Sequence, residues 1–259
     1  IVTGGADGNR DWVTLRNYRD DNGLNADINI RTHDIATLGL WGPKAVNALG
    51  NFIDPNEIDI QNFPFVTAKN LTLNLSGGKK VDVWAARISY VGESGWEIYF
   101  NNNKDDGLAL YDSLLEVGVV PVGIETYANS RRLEKSFRLQ GADLETEYTA
   151  IEAAIQRPLV KEADFHGKDA HLSHREEDPC AILCTMTLDD LNVSGVPRYP
   201  VGISPIIDPA TGEVPVDSKG RRSYTTGMSY CPSIKKFVAM GYLPKELAIK
   251  GKQLLIEYF

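Results

Sequence analysis

The sequence predicts an α+β fold through about residue 172, followed by a β-rich domain over 178–259. Three observations carry this. Residues 81–90 alternate apolar and polar, and a second alternating run at 96–100 follows the glycine-flanked Gly92-Glu93-Ser94-Gly95, as in a β-hairpin. Residues 107–117 and 125–137 carry a helical period instead. From Cys180 onward, short apolar runs are broken by glycine and proline without a sustained helical period, which suits a small β-barrel or sandwich.

Taken in order, residues 1–3 read as a strand end, the glycine-rich residues 4–9 as a tight loop, and 10–19 as a helix. Residues 27–30 and 35–41 read as β. Gly42-Pro43 then opens a short helix over 44–49, where proline is tolerated because the first helical amides have no intrahelical partner. A side-chain period of two places Trp96, Ile98 and Phe100 on one face of their strand and Glu97 with Tyr99 on the other. The polar stretch 171–179 is expected to link the α+β region, 1–172, to the β-rich domain.

Composition narrows the function classes. The net charge is −8 and the basic residues are scattered, so neither nucleic acid nor an anionic membrane surface is an expected partner. No run approaches the ~20 apolar residues of a membrane span. Three cysteines, Cys180, Cys184 and Cys231, are too few for a disulfide scaffold, which favours a reducing compartment. The first residue is not methionine and the last run is apolar, so a piece of a longer protein is expected.

Several constellations could carry chemistry. The loop Thr3-Gly-Gly-Ala-Asp-Gly-Asn9 could seat an anion through backbone amides, but its spacing matches neither a Rossmann nor a P-loop pattern, and a plain tight turn is the better reading. His171 and His174 lack a further ligand at metal spacing. Cys180 and Cys184 would share one strand face as small buried hydrophobes. Glu97 stands between Trp96 and Ile98. A carboxylate so placed needs a partner with N–H groups if it is desolvated, and is otherwise a surface glutamate on the wet side of a sheet.

Tyr90-Val-Gly-Glu-Ser-Gly-Trp-Glu-Ile98 resembles the Tyr-Thr-Gly-Glu-x-Gly-aromatic-Glu-Ile signature of the glycine-cleavage T-protein (aminomethyltransferase) superfamily. Further matches follow in the family's order at Leu40-Trp-Gly-Pro-Lys-Ala45, Ser130-Arg-Arg-Leu-Glu-Lys135, Gly141-Ala-Asp143, Asp164-Phe-His-Gly-Lys168, Ser204-Pro-Ile206 and residues 233–244. Leu133-Glu-Lys135 and Phe63-Pro-Phe-Val-Thr-Ala68 look most like the C-terminal module of dimethylglycine and sarcosine dehydrogenases, which are fusions with an upstream flavin domain.

The resemblance implies a cloverleaf of three small domains around a central folate hole, of which this chain lacks the early part; a ferredoxin-like α+β domain and a C-terminal β-barrel are among them. It implies a tetrahydrofolate-binding one-carbon (aminomethyl or methylene) transferase, with FAD only if an upstream flavin domain exists. The donor would be methylamine-type or carrier-bound, and the compartment cytoplasmic or the mitochondrial matrix. Glu97 matches the carboxylate that grips the pterin, Tyr90 the pocket aromatic, and Thr3, Gly4 and Gly5 a ligand-touching loop. Tyr99 shares the face of Glu97, and Arg157 stands where relatives often carry an aromatic.

Gly4 replaces an Asn of the pattern, Ala128-Asn129 replaces a common Arg-Asp, and the catalytic aspartate is expected upstream of Ile1. The rival readings are a stand-alone folate-dependent aminomethyltransferase or demethylase, and a non-catalytic regulatory module of the same fold.

Overall fold

The computed structural model describes residues 1–155, 159–189, 192–193, 196–197 and 202–257. The chain forms two compact units, Ile1–Ser89 with Glu93–Pro121, and Tyr90–Gly92 with Val122–Phe259. The expected boundary at 172–178 lies inside the second unit. Leu133 is buried with Val238, Met240 and Tyr242, so the residues after 122 share a core with the late strands.

In the first unit, α1 (Gly8–Asp21) precedes β1 (Ile35–Trp41), two short helices α2 (Ala45–Leu49) and α3 (Pro55–Ile58), and three strands, β2 (Ala68–Asn74), β3 (Lys80–Ala86) and β4 (Gly95–Asn101). Helix α4 (Lys104–Glu116) follows. The strands form an antiparallel sheet in the order β1-β4-β3-β2.

The period of two is realised: Trp96 and Ile98 are fully buried and Phe100 nearly so, packing with Val81, Val83, Ala85, Leu71 and Leu73 from neighbouring strands. Side chains of this kind each contribute about 1.5–3 kcal/mol on burial. Helix α4 covers this face with Leu110 and Leu114, four residues apart on one helix stripe. Its N-cap, Asn103, accepts from the Asp106 amide at 2.8 Å.

Several expectations are corrected. Residues 1–3 and 27–30 are not strands, because an alternating run is a strand only where a neighbour completes its hydrogen bonds, and neither run has one among the described residues. The strand expected over 81–90 stops at Ala86, since the next residue, Arg87, turns inward and donates to the carbonyls of Ile58, Asp59 and Phe63 at 3.0, 2.9 and 2.7 Å. β3 and β4 do pair antiparallel, but across the segment 87–94 rather than a tight turn. The helix expected over 125–137 is a π-helical turn, Thr126–Arg131, running into α5 (Arg132–Glu134), and Ser136 at φ 55° ends it. The expected linker 171–179 is largely helical, within α6 (Lys168–Glu176), which contains no proline and has no buried residue.

The second unit carries β5 (Ala181–Leu188), β6 (Asn192–Val193), β7 (Val196–Pro197), β8 (Ile206–Ile207), β9 (Thr225–Cys231), β10 (Lys236–Pro244) and β11 (Leu255–Ile256). They form a three-stranded antiparallel sheet, β5-β10-β9, and two separate pairs, β8 with β11 and β6 with β7. The expected C-terminal β-barrel is not confirmed: among the described residues these sheets do not close. Tyr148 stacks on Tyr242 with rings 3.5 Å apart, and Arg221 lies over Tyr148 while pairing with Glu152 at 2.5 Å and Asp217 at 2.7 Å.

Candidate functional site

The face of the first sheet that α4 leaves uncovered carries Glu97 and Tyr99. Pairing register fixes their surroundings. Glu97 lies opposite Gly39 on β1 and Ala86 on β3, and Ala86 lies opposite Ala68 on β2, so the whole row beside the carboxylate is built of small residues. The next row, Thr37, Tyr99, Trp84 and Asn70, is bulkier, with Trp84 and Tyr99 in ring contact at 5.1 Å. Glu97 thus stands half-buried in a shallow recess of its own sheet.

Its carboxylate is held. The Tyr99 hydroxyl donates to Glu97 Oε2, a bond available because residues two apart on a strand share a face. A carboxylate offers about four lone-pair sites, so one donor leaves both oxygens able to accept again. The small row has a steric cause at its margin. Gly95 adopts φ +151°, and a Cβ there would lie 1.9 Å from the Leu40 carbonyl oxygen, so β1 can approach β4 only because this residue is glycine. The Gly42 amide donates to the Ser94 carbonyl at 2.8 Å and ties the same corner.

A larger open cleft of about 1570 Å³ lies on this unit, and Thr3 and Tyr99 are among its lining residues, with Trp84, Asp82, Lys80 and Arg31. Gly4, Gly5 and Glu97 are not. The structure therefore brings Thr3 to the same cleft as Tyr99 and joins Glu97 to it through the Tyr99 hydroxyl. The Thr3 hydroxyl donates to Asp11, a bond that holds the Asp11 carboxyl below the usual carboxylate range. The Gly4 carbonyl accepts from the Asp7 amide at 2.9 Å in a tight turn, and Gly4 and Gly5 are exposed.

The signature is divided between the two units, for Tyr90 belongs to the second. Its hydroxyl donates to the Arg138 carbonyl at 2.9 Å, and its ring lies 5.5 Å from Tyr127 and 6.1 Å from Phe137. Burial pushes the Tyr90 phenol up to about 12, against the opposing pull of Arg132. Arg157 lies outside the described residues. Cys184 and Cys231 are free thiols raised by burial, Cys231 to about 11, so both stay protonated near neutrality.

Two residues beside Glu97 escape a motif-based reading. Arg87 fixes the segment leading to the site: its guanidinium is buried, lies 5.0 Å from the Trp96 ring and is held below its ordinary value by burial. Trp41 is the other. It follows Gly39 by two on one strand, and a Cβ on Gly39 would lie 2.0 Å from its six-membered ring, so the indole folds across the glycine next to Glu97. The indole Nε1 donates to the Ile88 carbonyl at 2.9 Å. The signal for Trp41 was available: a glycine two residues before an aromatic on a strand leaves space for the ring.

The GCVT N-terminal domain family matches residues 1–162. The human mitochondrial dimethylglycine dehydrogenase is 29% identical over 99% of this chain, which spans 28% of that relative. An aminomethyltransferase of Symbiobacterium thermophilum is 31% identical over 98% of this chain and 64% of its own length. The crystal structure of the glycine cleavage system aminomethyltransferase T from Bartonella henselae superposes with a TM-score of 0.71 at 21% identity, over 97% of this chain and 62% of that one, and shares the fold. The chain thus spans less than two thirds of each of these proteins. On the family match over residues 1–162, it belongs to the GCVT N-terminal domain family.

Proposed function

We propose that this chain is the tetrahydrofolate-binding module of a one-carbon (aminomethyl or methylene) transferase, within an amine-demethylating dehydrogenase of the dimethylglycine type. The observation that carries the reading is the half-buried Glu97 carboxylate, set among Gly39, Ala86 and Ala68 and steadied by Tyr99. Two acceptor oxygens in one plane suit two adjacent N–H donors, and the edge of an aminopyrimidinone ring supplies such a pair. The relatives named aminomethyltransferase and dimethylglycine dehydrogenase support this assignment.

Bound tetrahydrofolate supplies two nitrogens between which a one-carbon unit can be carried. Glu97 anchors and orients the ring, Tyr99 keeps the carboxylate from rotating, and Thr3 with the backbone of Gly4 and Gly5 offers contacts at the loop. Tyr90 and Arg157 are proposed as further ligand contacts on the strength of the family resemblance alone. Orientation alone can supply up to about 7–11 kcal/mol when it turns an encounter into a near-intramolecular reaction. On this reading, the proton-handling aspartate, and an FAD domain if the parent is a dehydrogenase, belong to sequence before Ile1. The donor is a methylamine-type or carrier-bound one-carbon unit, and the mitochondrial location in the relative's name suits the chain as well as a cytoplasmic one.

The test is a calorimetric titration of the full-length protein with 5-formyltetrahydrofolate. Saturable binding that Glu97→Ala abolishes, with urea unfolding unchanged, is expected. A wild-type protein that does not bind, or a Glu97→Ala variant that binds equally well, refutes the assignment.

A further inference from the structure

We infer that Trp41 is a ligand-contacting residue, the aromatic platform on which the planar ring held by Glu97 stacks. The inference rests on the folate reading above and adds a residue to that site. The row beside Glu97 is Gly39, Ala86 and Ala68, so no side chain of ordinary length stands next to the carboxylate on its own row. A carboxylate that grips only the edge of a flat ring leaves both ring faces to be covered by something else. On the β1 side the indole of Trp41 reaches this space.

The indole is placed rather than merely adjacent. It occupies the position a Gly39 side chain would take, at 2.0 Å from the site of the missing Cβ, and its Nε1 is fixed on the Ile88 carbonyl at 2.9 Å. Gly39 is the cross-strand partner of Glu97, so the six-membered ring of the indole lies beside the carboxylate on the same sheet face. Trp41 is also half-buried, leaving part of its surface accessible to a ligand. An indole already anchored through its Nε1 loses little freedom when a flat ring stacks on it, and offset stacking of aromatic rings adds to area burial.

A purely structural Trp41 would fill the space over Gly39 and hold the Ile88 carbonyl, a bond that both leucine and phenylalanine lose. Leucine is apolar and covers much of that space but has no π-face, whereas phenylalanine retains one. The experiment is a titration of the full-length protein and its Trp41→Leu and Trp41→Phe variants with 5-formyltetrahydrofolate, with urea unfolding of each. Stacking of this kind corresponds to about a tenfold loss of affinity for Trp41→Leu and roughly threefold or less for Trp41→Phe.

Gly39→Ala, whose added methyl displaces the indole while leaving Glu97 and Tyr99 in place, is expected to weaken binding like Trp41→Leu. Wild-type affinity in Trp41→Leu, or an equal loss in the Leu and Phe variants, overturns the stacking role while leaving the folate assignment intact. Failure of the wild type to bind overturns both. If Trp41→Leu does not fold, quenching of tryptophan emission by the ligand decides: it must fall in Trp41→Phe, and unchanged quenching overturns the proposal.

Discussion

Replacing Arg132 with methionine should cost the second unit much of its stability. The side chains of Arg132 and Asp143 are fully buried and paired at 2.5 Å. Arg132 also donates to the carbonyls of Ala128 at 2.5 Å and Phe137 at 2.9 Å, and its Nη2, which has no partner among the described residues, fills the space a Gly227 side chain would take. Asp143 in turn accepts from the Leu139 amide at 2.8 Å and from Thr226.

Removing the arginine leaves a buried carboxylate with two neutral donors and strips two carbonyls of theirs. Breaking a buried pair in this way costs about 3–5 kcal/mol. Arg132→Met/Asp143→Asn removes both charges while Asn still accepts from Leu139, so the double variant should lose about 1–3 kcal/mol less than the sum of the singles.

Urea unfolding followed by far-UV circular dichroism gives all four corners of this cycle. A loss below about 1 kcal/mol for Arg132→Met, or strict additivity, refutes the reasoning. A second readout is local: the Arg132 charge lowers the Tyr90 phenol against burial, so its removal should move that phenol further up.

Other consequences follow from the same contacts. Tyr99→Phe deletes the donor to Glu97 and nothing else of its ring, so 5-formyltetrahydrofolate should bind about tenfold more weakly, with the urea midpoint unchanged; unaltered affinity would show that Glu97 needs no such support. Tyr90 is raised in the folded state, so the folded protein holds this proton where the unfolded chain has released it. Its stabilising effect is therefore complete below about pH 10, the ordinary tyrosine value, and is lost as the pH rises towards about 12. Absorbance at the phenolate band in wild type and Tyr90→Phe checks this, and a Tyr90 signal already present at pH 10 would contradict it.

Much of this architecture is legible in the chain, and the gaps have physical reasons. The faces of β4 follow from its period of two, because Trp96, Ile98 and Phe100 can be desolvated together only on one side. The same rule misleads at 27–30, where Asp27-Ile-Asn-Ile30 alternates but has no neighbouring strand. β2 carries the period through Leu71 and Leu73, yet its polar partners Lys69, Asn70, Thr72 and Asn74 make it look like a loop until β3 is beside it.

Within the site, Glu97 and Tyr99 are visible as i and i+2 on one strand. Gly39 and Ala86 are not, because they lie 58 and 11 positions away from Glu97 and meet it only through the register of three strands. Trp41 is legible only in part: a glycine two residues before an aromatic signals room for a ring, but that this room lies beside Glu97 follows only from the register of β1 and β4. The helix in 168–176 escapes notice because its polar residues bury nothing, so no apolar stripe marks it.

The most direct test of the account is a crystal structure of the full-length protein with 5-formyltetrahydrofolate bound. Ring density is expected over Ala86 and Ala68, beside the indole that covers Gly39, with both Glu97 oxygens in hydrogen-bond contact, at about 2.7–3.2 Å, with adjacent ring N–H groups. Density elsewhere, with the Glu97 carboxylate touching only Tyr99 and solvent, would contradict it.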